Sequence, residues 1–379
     1  MPLHIAIDAS RSTARQATGT EYYSLRLIQA LCAANEGLGQ PNRISLFLRD
    51  LPPVGRFPVS AHARQHVIRL PRLWTHLRFA AALWQARPDI TFVPAHTLPA
   101  LFPGPAITTV HDLGFKHFPA AHPPLQRAYL DATTRYSQAR AAIVLADSEV
   151  TAADLRRFYG TEEDKIRVVY PGVDGDRLRA TAADAAGARA KYGLPARYFL
   201  FVGTLQPRKN IKRLVQAFAR WQQAQDDDET ALVLAGGKGW LFNESWLTGA
   251  RNVRLCGYID DADKAGLLRG AIALVFPSLY EGFGFPAVEA MHAGTPVIAS
   301  ATSSLGEIVG EAGLLVDPLS VAEIAAAMQR CSVDEALRRA LIQKGRVRAG
   351  RFTWAAAAAQ VMQAIEALAA PARSGAPAI

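Results

Sequence analysis

The sequence predicts an α/β protein with two doubly wound, Rossmann-like domains that face each other across a cleft. Apolar, strand-like runs alternate with helical stretches in two successive halves of the chain, as in parallel sheets covered by helices. The 379 residues exceed what one hydrophobic core usually serves, so two domains are expected. Half of the residues are hydrophobic and a fifth are charged, which is typical of globular proteins and argues against disorder.

Residues 1–172 are predicted to form the N-terminal domain. Gly19 precedes an amphipathic helix that extends from about Glu21 to Ala34. The predicted strands are the apolar runs 3–9, 44–48, 90–93, 106–110, 141–145 and 166–169. Helical stretches fit between these runs, as the crossover connections of a parallel sheet require.

Residues 192–352 are predicted to form the C-terminal domain. The alternation stops near Tyr170, and the stretch up to about Lys191 is rich in Ala and Asp and contains no strand, so we place the domain linker there. The strands expected after it are the runs 198–202, 231–235, 253–256, 272–276, 296–299 and 314–316. Helices are expected at about 321–329, 332–349 and 353–369, and the last, about 353–370, is expected to pack back on the N-terminal domain.

The composition points to a reducing compartment. Cys32, Cys256 and Cys331 are widely spaced and show no metal-ligand pattern, which argues against a disulfide framework or a zinc site. No apolar run approaches the roughly 18 residues of a transmembrane helix, and the first residues lead into a strand-like alternation rather than a signal sequence. We therefore expect a cytoplasmic protein without a membrane span.

A glycine-rich segment in the second half carries the most informative motif. Glu281 and Glu289 stand eight residues apart, the first beside a glycine-rich turn and the second on the helix that follows. Gly282 and Gly284 let the backbone approach a ligand closely, and the free N–H groups of the helix start can face a phosphate. Glu289, about one turn inside the helix, can accept hydrogen bonds from ribose hydroxyls. The motif indicates a nucleotide-sugar site; the alternative is a surface loop with solvated glutamates.

A second loop places two cations at the start of a helix. Arg208 and Lys209 precede a helix expected to begin near Ile211, where the free N–H groups already favour an anion. A solvated basic cap is the alternative, but it conflicts with the helix dipole. The loop therefore predicts a bound phosphate.

In the first half, His111 and Asp112 follow the strand that ends at Val110. Ligands of doubly wound sheets bind outside the carboxyl ends of the strands, so His111 is a candidate site residue. The alternatives are a structural histidine and, for Asp112, a residue that caps the following loop.

These segments resemble the retaining glycosyltransferases of family 4, which have the GT-B fold of two Rossmann-like domains. The segment 278–297 resembles their Glu-x7-Glu signature, and Val110–Leu113 resembles their Val-His-Asp-Leu segment. Residues 203–210 resemble the Gly-Thr-x-x-Pro-Arg-Lys-Asn branch of bacterial mannosyltransferase-like members. In that branch Thr204 occupies the place of the arginine that other members carry.

The resemblance implies roles for individual residues. His111 lies against the donor sugar, Lys209 reaches the diphosphate, and Arg208 replaces the charge of the missing arginine or points elsewhere. Catalytic roles are implied for His111, Glu281 and Lys209. Donor-binding roles are implied for Gly19, Gly203, Thr204, Arg208, Lys209, Gly257, Tyr258, Ile259, Ser278, Glu281, Gly282, Phe283, Gly284, Phe285 and Glu289.

The expected function is transfer of a sugar, mannose from GDP-mannose, to a glycan or lipid-linked acceptor with retention of configuration, in the synthesis of a cell-surface polysaccharide or glycolipid. The resemblance implies no cofactor and no obligate metal, and no nucleic-acid module interrupts the α/β pattern. Two alternatives remain. One is a non-hydrolysing nucleotide-sugar 2-epimerase, and the other is a catalytically silent nucleotide-sugar-binding protein.

The charged residues that give the net charge of +9 are distributed unevenly along the chain. Residues 51–88 contain no acidic side chain but are rich in arginine. One interpretation is peripheral contact with the inner face of an anionic membrane. The other is a solvated basic face beside a helix at 73–86, with its apolar stripe and tryptophans in the core, and we favour this second interpretation. The arginines in question are Arg64, Arg69, Arg72 and Arg78, and the stripe is Leu73, Leu77, Ala80, Ala81 and Trp84.

Overall fold

The computed structural model describes residues 2–13, 19–57, 60–70, 73–121 and 123–373. The chain divides into two compact units. Unit 1 contains residues 1–113, 123–172 and 353–379, and unit 2 contains residues 114–122 and 173–352. Each unit holds one parallel sheet, so the predicted fold class of two Rossmann-like α/β domains is confirmed.

Thirteen strands form the two sheets within the described residues. They are β1 (His4–Asp8), β2 (Arg43–Leu48), β3 (Ala63–Val67), β4 (Ile90–Val93), β5 (Ala106–Val110), β6 (Ile143–Ala146), β7 (Ile166–Val168), β8 (Tyr198–Val202), β9 (Ala231–Ala235), β10 (Val253–Gly257), β11 (Leu274–Phe276), β12 (Val297–Ser300) and β13 (Leu314–Val316).

The α-helices of the described residues are α1 (Gly19–Glu36), α2 (Ala80–Ala86), α3 (Gly114–His117), α4 (Pro124–Arg140), α5 (Glu149–Tyr159), α6 (Ala182–Lys191), α7 (Ile211–Gln225), α8 (Asp261–Gly270), α9 (Phe285–Ala293), α10 (Ser304–Val309), α11 (Val321–Val333), α12 (Glu335–Ala349) and α13 (Trp354–Arg373). A wide helical turn of the π type at Thr75–Phe79 leads into α2. Short 3-10 turns include Ser10–Thr13 and Pro207–Lys209.

The sheet of unit 1 has the strand order β3-β2-β1-β4-β5-β6-β7. The chain builds outward from β1 to β3 on one side and from β4 to β7 on the other. Central strands such as β1 and β5 are buried at every residue, because helices cover both faces of a parallel sheet. The reversal of direction between β1 and β4 creates a topological switch point.

Helix α13 returns from the end of unit 2 to pack on α1. Trp354 is buried and meets Tyr22 and Tyr23 edge to face, with ring centroids 5.8 and 5.9 Å apart. Val361 and Ile365 follow at helical spacing and are also buried. Unit 1 is therefore built from both ends of the chain.

Strand β3 is absent from the prediction. Its sequence, Ala-Arg-Gln-His-Val, contains no apolar alternation, and four of its five residues are exposed. It pairs in parallel with β2 at the edge of the sheet, for example Ser45 beside Arg64. An edge strand held by backbone hydrogen bonds needs no apolar face, so hydrophobic periodicity does not reveal it.

The apolar stripe expected in the core around residues 73–86 lies largely at the surface, which corrects that interpretation. Leu73, Leu77 and Trp84 are 64%, 55% and 54% exposed, whereas Trp74 is 5% exposed and stacks on Phe79. The reason is the π turn, in which the Phe79 N–H donates to the Trp74 carbonyl at 2.9 Å. The wider turn shifts the helical register. Of the expected basic residues, Arg64, Arg69 and Arg78 are exposed, and Arg72 lies outside the described residues.

The sheet of unit 2 has the strand order β10-β9-β8-β11-β12-β13. Strands β8, β9 and β11 form the centre, and their side chains are buried almost completely. Helix α7 packs its apolar side, including Leu214 and Phe218, into the core and contacts α11. The six strands predicted for the second half are all present.

The boundary between the two units, at Gly172 and Val173, lies within the stretch interpreted as the linker, but the rest of that stretch belongs to unit 2 and contains a helix. Helix α6 begins after Thr181, whose hydroxyl accepts from the Asp184 N–H at 3.2 Å while the Asp184 carboxylate accepts from the Thr181 N–H at 2.7 Å. It packs closely on α8, since a side chain at Gly266 would lie 2.6 Å from the Asp184 carbonyl oxygen. The Ala-rich composition that excluded a strand is that of a good helix former.

Candidate functional site

Two cations and one carboxylate meet in unit 2, at the carboxyl ends of β8 and β11. Lys209 Nζ lies 2.5 Å from Glu281 Oε1, and Arg208 Nη1 lies 3.5 Å from Glu281 Oε2. Arg208 also donates to the Tyr280 carbonyl at 3.1 Å. Lys209 and Glu281 are both buried. We call Arg208, Lys209 and Glu281 the cation cluster.

The cluster revises the electrostatic argument made from the sequence. Arg208 and Lys209 already have an anionic partner within the protein, because the Glu281 carboxylate lies beside them. Burial raises the pKa of Glu281, but Lys209 and Arg208 outweigh that effect and hold the pKa below its usual value. Two cations and one carboxylate still leave a formal charge of +1, which favours an anionic ligand.

The loop that carries the cations is held by close backbone packing. Asn210 adopts a left-handed conformation with φ 61° and donates through Nδ2 to the carbonyls of Pro277 and Pro318, at 3.0 and 2.6 Å. Gly203 starts the loop, and Gly236 approaches it so closely that a Cβ on Gly236 would lie 2.0 Å from the Gly203 oxygen. Thr204, the next residue, is exposed.

The Glu281 loop leads directly into α9. Gly284 caps this helix with φ 105°, and a Cβ there would lie 2.5 Å from Leu305 Cδ2, so only glycine fits. The Ser304 hydroxyl fixes the loop by donating to the carbonyls of Glu281 and Phe283, at 2.9 and 3.0 Å. The remaining residues predicted here are the buried Gly282 and Ser278 and the half-buried Phe285, whose ring meets that of Phe283 at 5.1 Å.

Glu289 lies on α9, one turn beyond its start, and has a partner that the sequence did not reveal. Lys264 of α8 approaches it with Nζ 2.8 Å from Glu289 Oε1. Burial lowers the pKa of Lys264, but Glu289 outweighs this and raises it above its usual value. No motif contains Lys264, and the helix spacing within α8 gives no sign that its side chain reaches α9.

The segment Gly257–Ile259, to which the resemblance gives a donor-binding role, lies at the end of β10. Gly257 is left-handed with φ 64°, as a turn after the strand requires. Tyr258 is 60% exposed and Ile259 is buried.

In unit 1, His111 forms a dyad with Asp147. His111 Nδ1 lies 2.8 Å from Asp147 Oδ2, and Asp147 directly follows β6. Both side chains are largely buried, and burial raises the pKa of Asp147 against the opposing effect of His111. A carboxylate at this distance favours the tautomer of His111 in which Nδ1 is the hydrogen-bond donor. Asp147 is not among the site residues predicted from the sequence.

A second histidine fixes the backbone beside the dyad. His96 Nε2 accepts the His111 backbone N–H at 2.8 Å, and burial together with His111 lowers the pKa of His96 to about 3. Tyr23 packs edge to face on His111 at 4.7 Å. His111 Nε2 is buried and has no hydrogen-bond partner among the described residues.

The predicted residues thus form separate groups. Within unit 2 the cation cluster joins the loop after β8 to the loop after β11, and the Gly284 turn and Glu289 follow along the second loop and the first turns of α9. Within unit 1 His111 lies at the end of β5, and Gly19 is the first residue of α1. Among the described helices, none is long and apolar enough to cross a bilayer.

Comparison with known proteins identifies the family. Residues 18–177 match glycosyltransferase family 4, and residues 188–348 match the family described as glycosyl transferases group 1. The chain is 30% identical over 373 residues to O-antigen chain mannosyltransferase B of Escherichia coli, a match that covers 93% of this chain and 96% of that protein.

Solved structures agree on the fold. Sucrose-phosphate synthase from Thermosynechococcus elongatus superposes with a TM-score of 0.75 at 27% identity, over 97% of this chain and 99% of the other. HepE of Anabaena, solved with UDP and glucose, has a TM-score of 0.73 at 16% identity over 96% of this chain and all of the other. At this level of identity the likeness shows a shared fold and nothing more. The chain therefore belongs to glycosyltransferase family 4, the nucleotide-sugar-dependent glycosyltransferases of GT-B fold.

Proposed function

We propose that this glycosyltransferase moves mannose from GDP-mannose to a glycan or lipid-linked acceptor, with retention of anomeric configuration, in the synthesis of a cell-surface polysaccharide or glycolipid. The observation that carries the proposal is the buried cation cluster beside the Gly284 turn of α9. The mannosyl specificity is supported by the likeness to O-antigen chain mannosyltransferase B. The comparisons do not favour the epimerase alternative.

In this proposal the loop and helix of unit 2 hold the donor. Lys209 and Arg208 offset the charge of the leaving diphosphate, and no obligate metal or other cofactor is required. The backbone of Gly282–Phe285 and the N-terminus of α9 bind the diphosphate and the sugar. Glu281 positions Lys209 and contacts the sugar, and Glu289, oriented by Lys264, binds the ribose hydroxyls.

His111 keeps the role that the family resemblance gives it, a contact with the donor sugar. The Asp147 carboxylate holds the proton on Nδ1, which leaves the lone pair on Nε2 able to accept a hydrogen bond from a sugar hydroxyl. No residue acts as a nucleophile in this proposal. The leaving phosphate accepts the proton of the attacking acceptor hydroxyl.

We also propose peripheral contact with an anionic membrane through the exposed surface of unit 1. Leu73, Leu77 and Trp84 are exposed apolar side chains in this segment, and Arg78 and Arg87 of the same segment are exposed as well. An apolar face with basic residues and an interfacial tryptophan is the pattern of a helix that lies on a membrane. Such contact would bring the enzyme to a lipid-linked acceptor.

The donor is tested by measuring the melting temperature with a panel of nucleotide sugars and free nucleoside diphosphates. A ligand that binds only the folded protein raises its stability by mass action, so GDP-mannose is expected to give the largest shift. Transfer of labelled mannose to mannose-containing acceptors, with NMR of the product anomer, tests the reaction. A larger shift with a UDP-sugar, or an inverted product, would contradict the assignment.

The division of labour between the carboxylates can be tested with the same ligands. Glu289→Gln is expected to weaken binding of GDP and GDP-mannose alike, whereas Glu281→Gln is expected to spare GDP and weaken GDP-mannose. Equal losses on both ligands for both variants would argue against these roles.

A further inference from the structure

Ser303 lies between β12 and α10 of unit 2 in a backbone conformation that serine rarely adopts. Its φ is 56° and its ψ is −157°. Glycine is almost the only residue that uses this region, because a Cβ is strained there. A strained residue of this kind persists only where the surrounding contacts impose its conformation. We therefore looked for the contact that holds Ser303.

The Ser303 side chain does not have the role that its position suggests. A serine directly before a helix usually accepts an N–H group of the first helical turn. Ser148, Thr181 and Ser320 do so before α5, α6 and α11. Among the described residues Ser303 makes no such bond to α10, and its hydroxyl instead accepts the backbone N–H of Glu281 at 3.2 Å. Two unfavourable local features, the strain and the missing cap, thus accompany one contact with the cation cluster.

This contact fixes the peptide group that precedes Glu281. The carbonyl of Tyr280 accepts from Arg208 at 3.1 Å, while the N–H of the same peptide group donates to Ser303. If the group turned over, its C=O and N–H would exchange directions and both bonds would be lost. Because the group leads into the Cα of Glu281, its orientation sets the direction in which the carboxylate reaches Lys209.

The residues after Ser303 hold the next parts of the same loop. Ser304 donates to the Glu281 carbonyl at 2.9 Å. Leu305 lies so close to Gly284 that a Cβ there would be 2.5 Å from Leu305 Cδ2. Three consecutive residues at the start of α10 therefore contact successive parts of the loop, and Ser303 contacts the part that aims the Glu281 side chain.

We propose that Ser303 is a positioning residue for the donor sugar, which acts by orienting the Tyr280–Glu281 peptide group and, through it, the Glu281 carboxylate. The inference rests on the proposed donor site of unit 2. Glycine at position 303 would relieve the strain but remove the hydroxyl. Stability and donor binding are therefore expected to respond differently to this change, as at sites where strain serves function.

Ser303→Gly and Ser303→Ala test the proposal together. Both remove the hydroxyl, so each is expected to weaken GDP-mannose about threefold to tenfold, the loss of one hydrogen bond. Both should change GDP affinity little, as expected for Glu281→Gln. Only alanine keeps the strained Cβ, so the urea midpoint of Ser303→Gly should be close to or above that of wild type and above that of Ser303→Ala. Calorimetric titration and urea unfolding measure these effects.

Amide hydrogen exchange followed by NMR tests the contact without any ligand. The Glu281 N–H is expected to exchange faster in both variants than in wild type, because it loses its acceptor. Thr181→Ala is the control, since it also removes a hydroxyl that precedes a helix of unit 2, but one that caps its helix. It should lower the urea midpoint and leave GDP-mannose affinity unchanged.

Several outcomes would overturn the inference. They are wild-type affinity for GDP-mannose in Ser303→Gly, an equal loss of affinity for GDP and GDP-mannose, and unchanged exchange of the Glu281 N–H. Failure of the proposed mannosyl transfer would appear in wild type instead, as the absence of a melting shift with GDP-mannose. The variants are then compared with the nucleotide sugar that shifts wild type most and its free diphosphate, such as UDP-glucose and UDP.

Discussion

At the scale of single residues, Glu281 connects two parts of the proposed donor site. Its side chain contacts Lys209 and Arg208, and its carbonyl is held by Ser304 in the turn before α9. Because Glu281 and Lys209 are both buried, removal of the Glu281 charge leaves the Lys209 ammonium without its nearest counterpart, and breaking a buried ion pair in this way typically costs about 3 to 5 kcal/mol. The residue is therefore expected to matter for folding as well as for binding.

Glu281→Gln is expected to reduce the pH dependence of stability in acid. The pKa of Glu281 is held below its ordinary value of 4.5 in the folded protein, so the unfolded chain binds more protons just below that pH. Its contribution is thus present above about pH 4.5 and is lost as the pH falls through the lower folded pKa. Urea unfolding at pH 7 and at pH 4 should show a smaller difference for the variant, which should also be less stable at pH 7.

Glu244→Gln is the matched control, because Glu244 pairs with Lys238 at 2.7 Å but is 77% exposed. An exposed pair contributes roughly 0 to 1 kcal/mol, so this change should alter stability little at either pH. If the two variants behave alike, Glu281 is not held as an ionised buried carboxylate.

Lys209→Met is expected to weaken binding of GDP about ten- to hundredfold, because a hydrogen bond to a charged group contributes roughly 1.5 to 3 kcal/mol. The same change leaves Glu281 without its nearest cation and should destabilise the fold. The double variant Lys209→Met with Glu281→Gln should recover stability but not affinity. Calorimetric titration and urea unfolding separate the two effects, and an unchanged GDP affinity in Lys209→Met would refute the phosphate contact.

At the scale of elements, the start of α9 depends on one glycine. The loop from Glu281 reaches the helix through Gly284, whose φ of 105° and contact with Leu305 exclude a side chain. The positions of the helix N–H groups relative to the cation cluster therefore follow from this single turn.

Gly284→Ala is expected to destabilise the protein by about 1 to 3 kcal/mol and to weaken GDP binding, since the turn must shift to accept a methyl group. The control is Gly187→Ala in α6, where a Cβ meets no atom within 4 Å and alanine favours the helix. Stability and GDP affinity are measured for both variants and compared with wild type. Normal affinity in Gly284→Ala would show that the turn does not position the diphosphate.

The π turn before α2 leads to a prediction about membranes. The double variant Leu77→Ser with Trp84→Ser is expected to bind vesicles containing anionic lipid more weakly than wild type, because it removes two of the three exposed apolar side chains. Wild-type binding should fall as salt rises, since the neighbouring arginines contribute about 1 kcal/mol each near an anionic surface. Co-sedimentation measures both effects, with zwitterionic vesicles as the control. Equal partitioning of the two proteins would exclude this surface.

At the scale of the whole molecule, the sequence revealed the architecture because a strand buried on both faces is a continuous apolar run, as in Tyr198–Val202. Elements and contacts that have no continuous apolar run were not predicted from the sequence. Strand β3 is polar, and α6 was excluded as a strand without being recognised as a helix. Lys264 and Asp147 act through contacts between elements far apart in sequence, which no local pattern contains.

The packing of α13 on α1 within unit 1 can be tested by substituting Trp354. Trp354→Ala is expected to cost about 3 to 5 kcal/mol, because the buried ring fills the space against Tyr22 and Tyr23. Hydrogen exchange should accelerate in α1 and β1 and remain unchanged in β8 and β9. The exposed Trp84→Ala is the control, and uniform acceleration across both units would contradict the division of the chain.

The packing of α13 on α1 also sets an order for biosynthesis. The ribosome completes every residue of unit 2 before it reaches Trp354, so the apolar side of α1 stays uncovered while some 180 residues emerge, the span from 173 to 352. Domains generally fold as they are synthesised, with the N-terminal one first, but here the second unit can close before the first. The apolar surface that α13 covers therefore stays exposed on the nascent N-terminal half for longer than its position in the chain suggests.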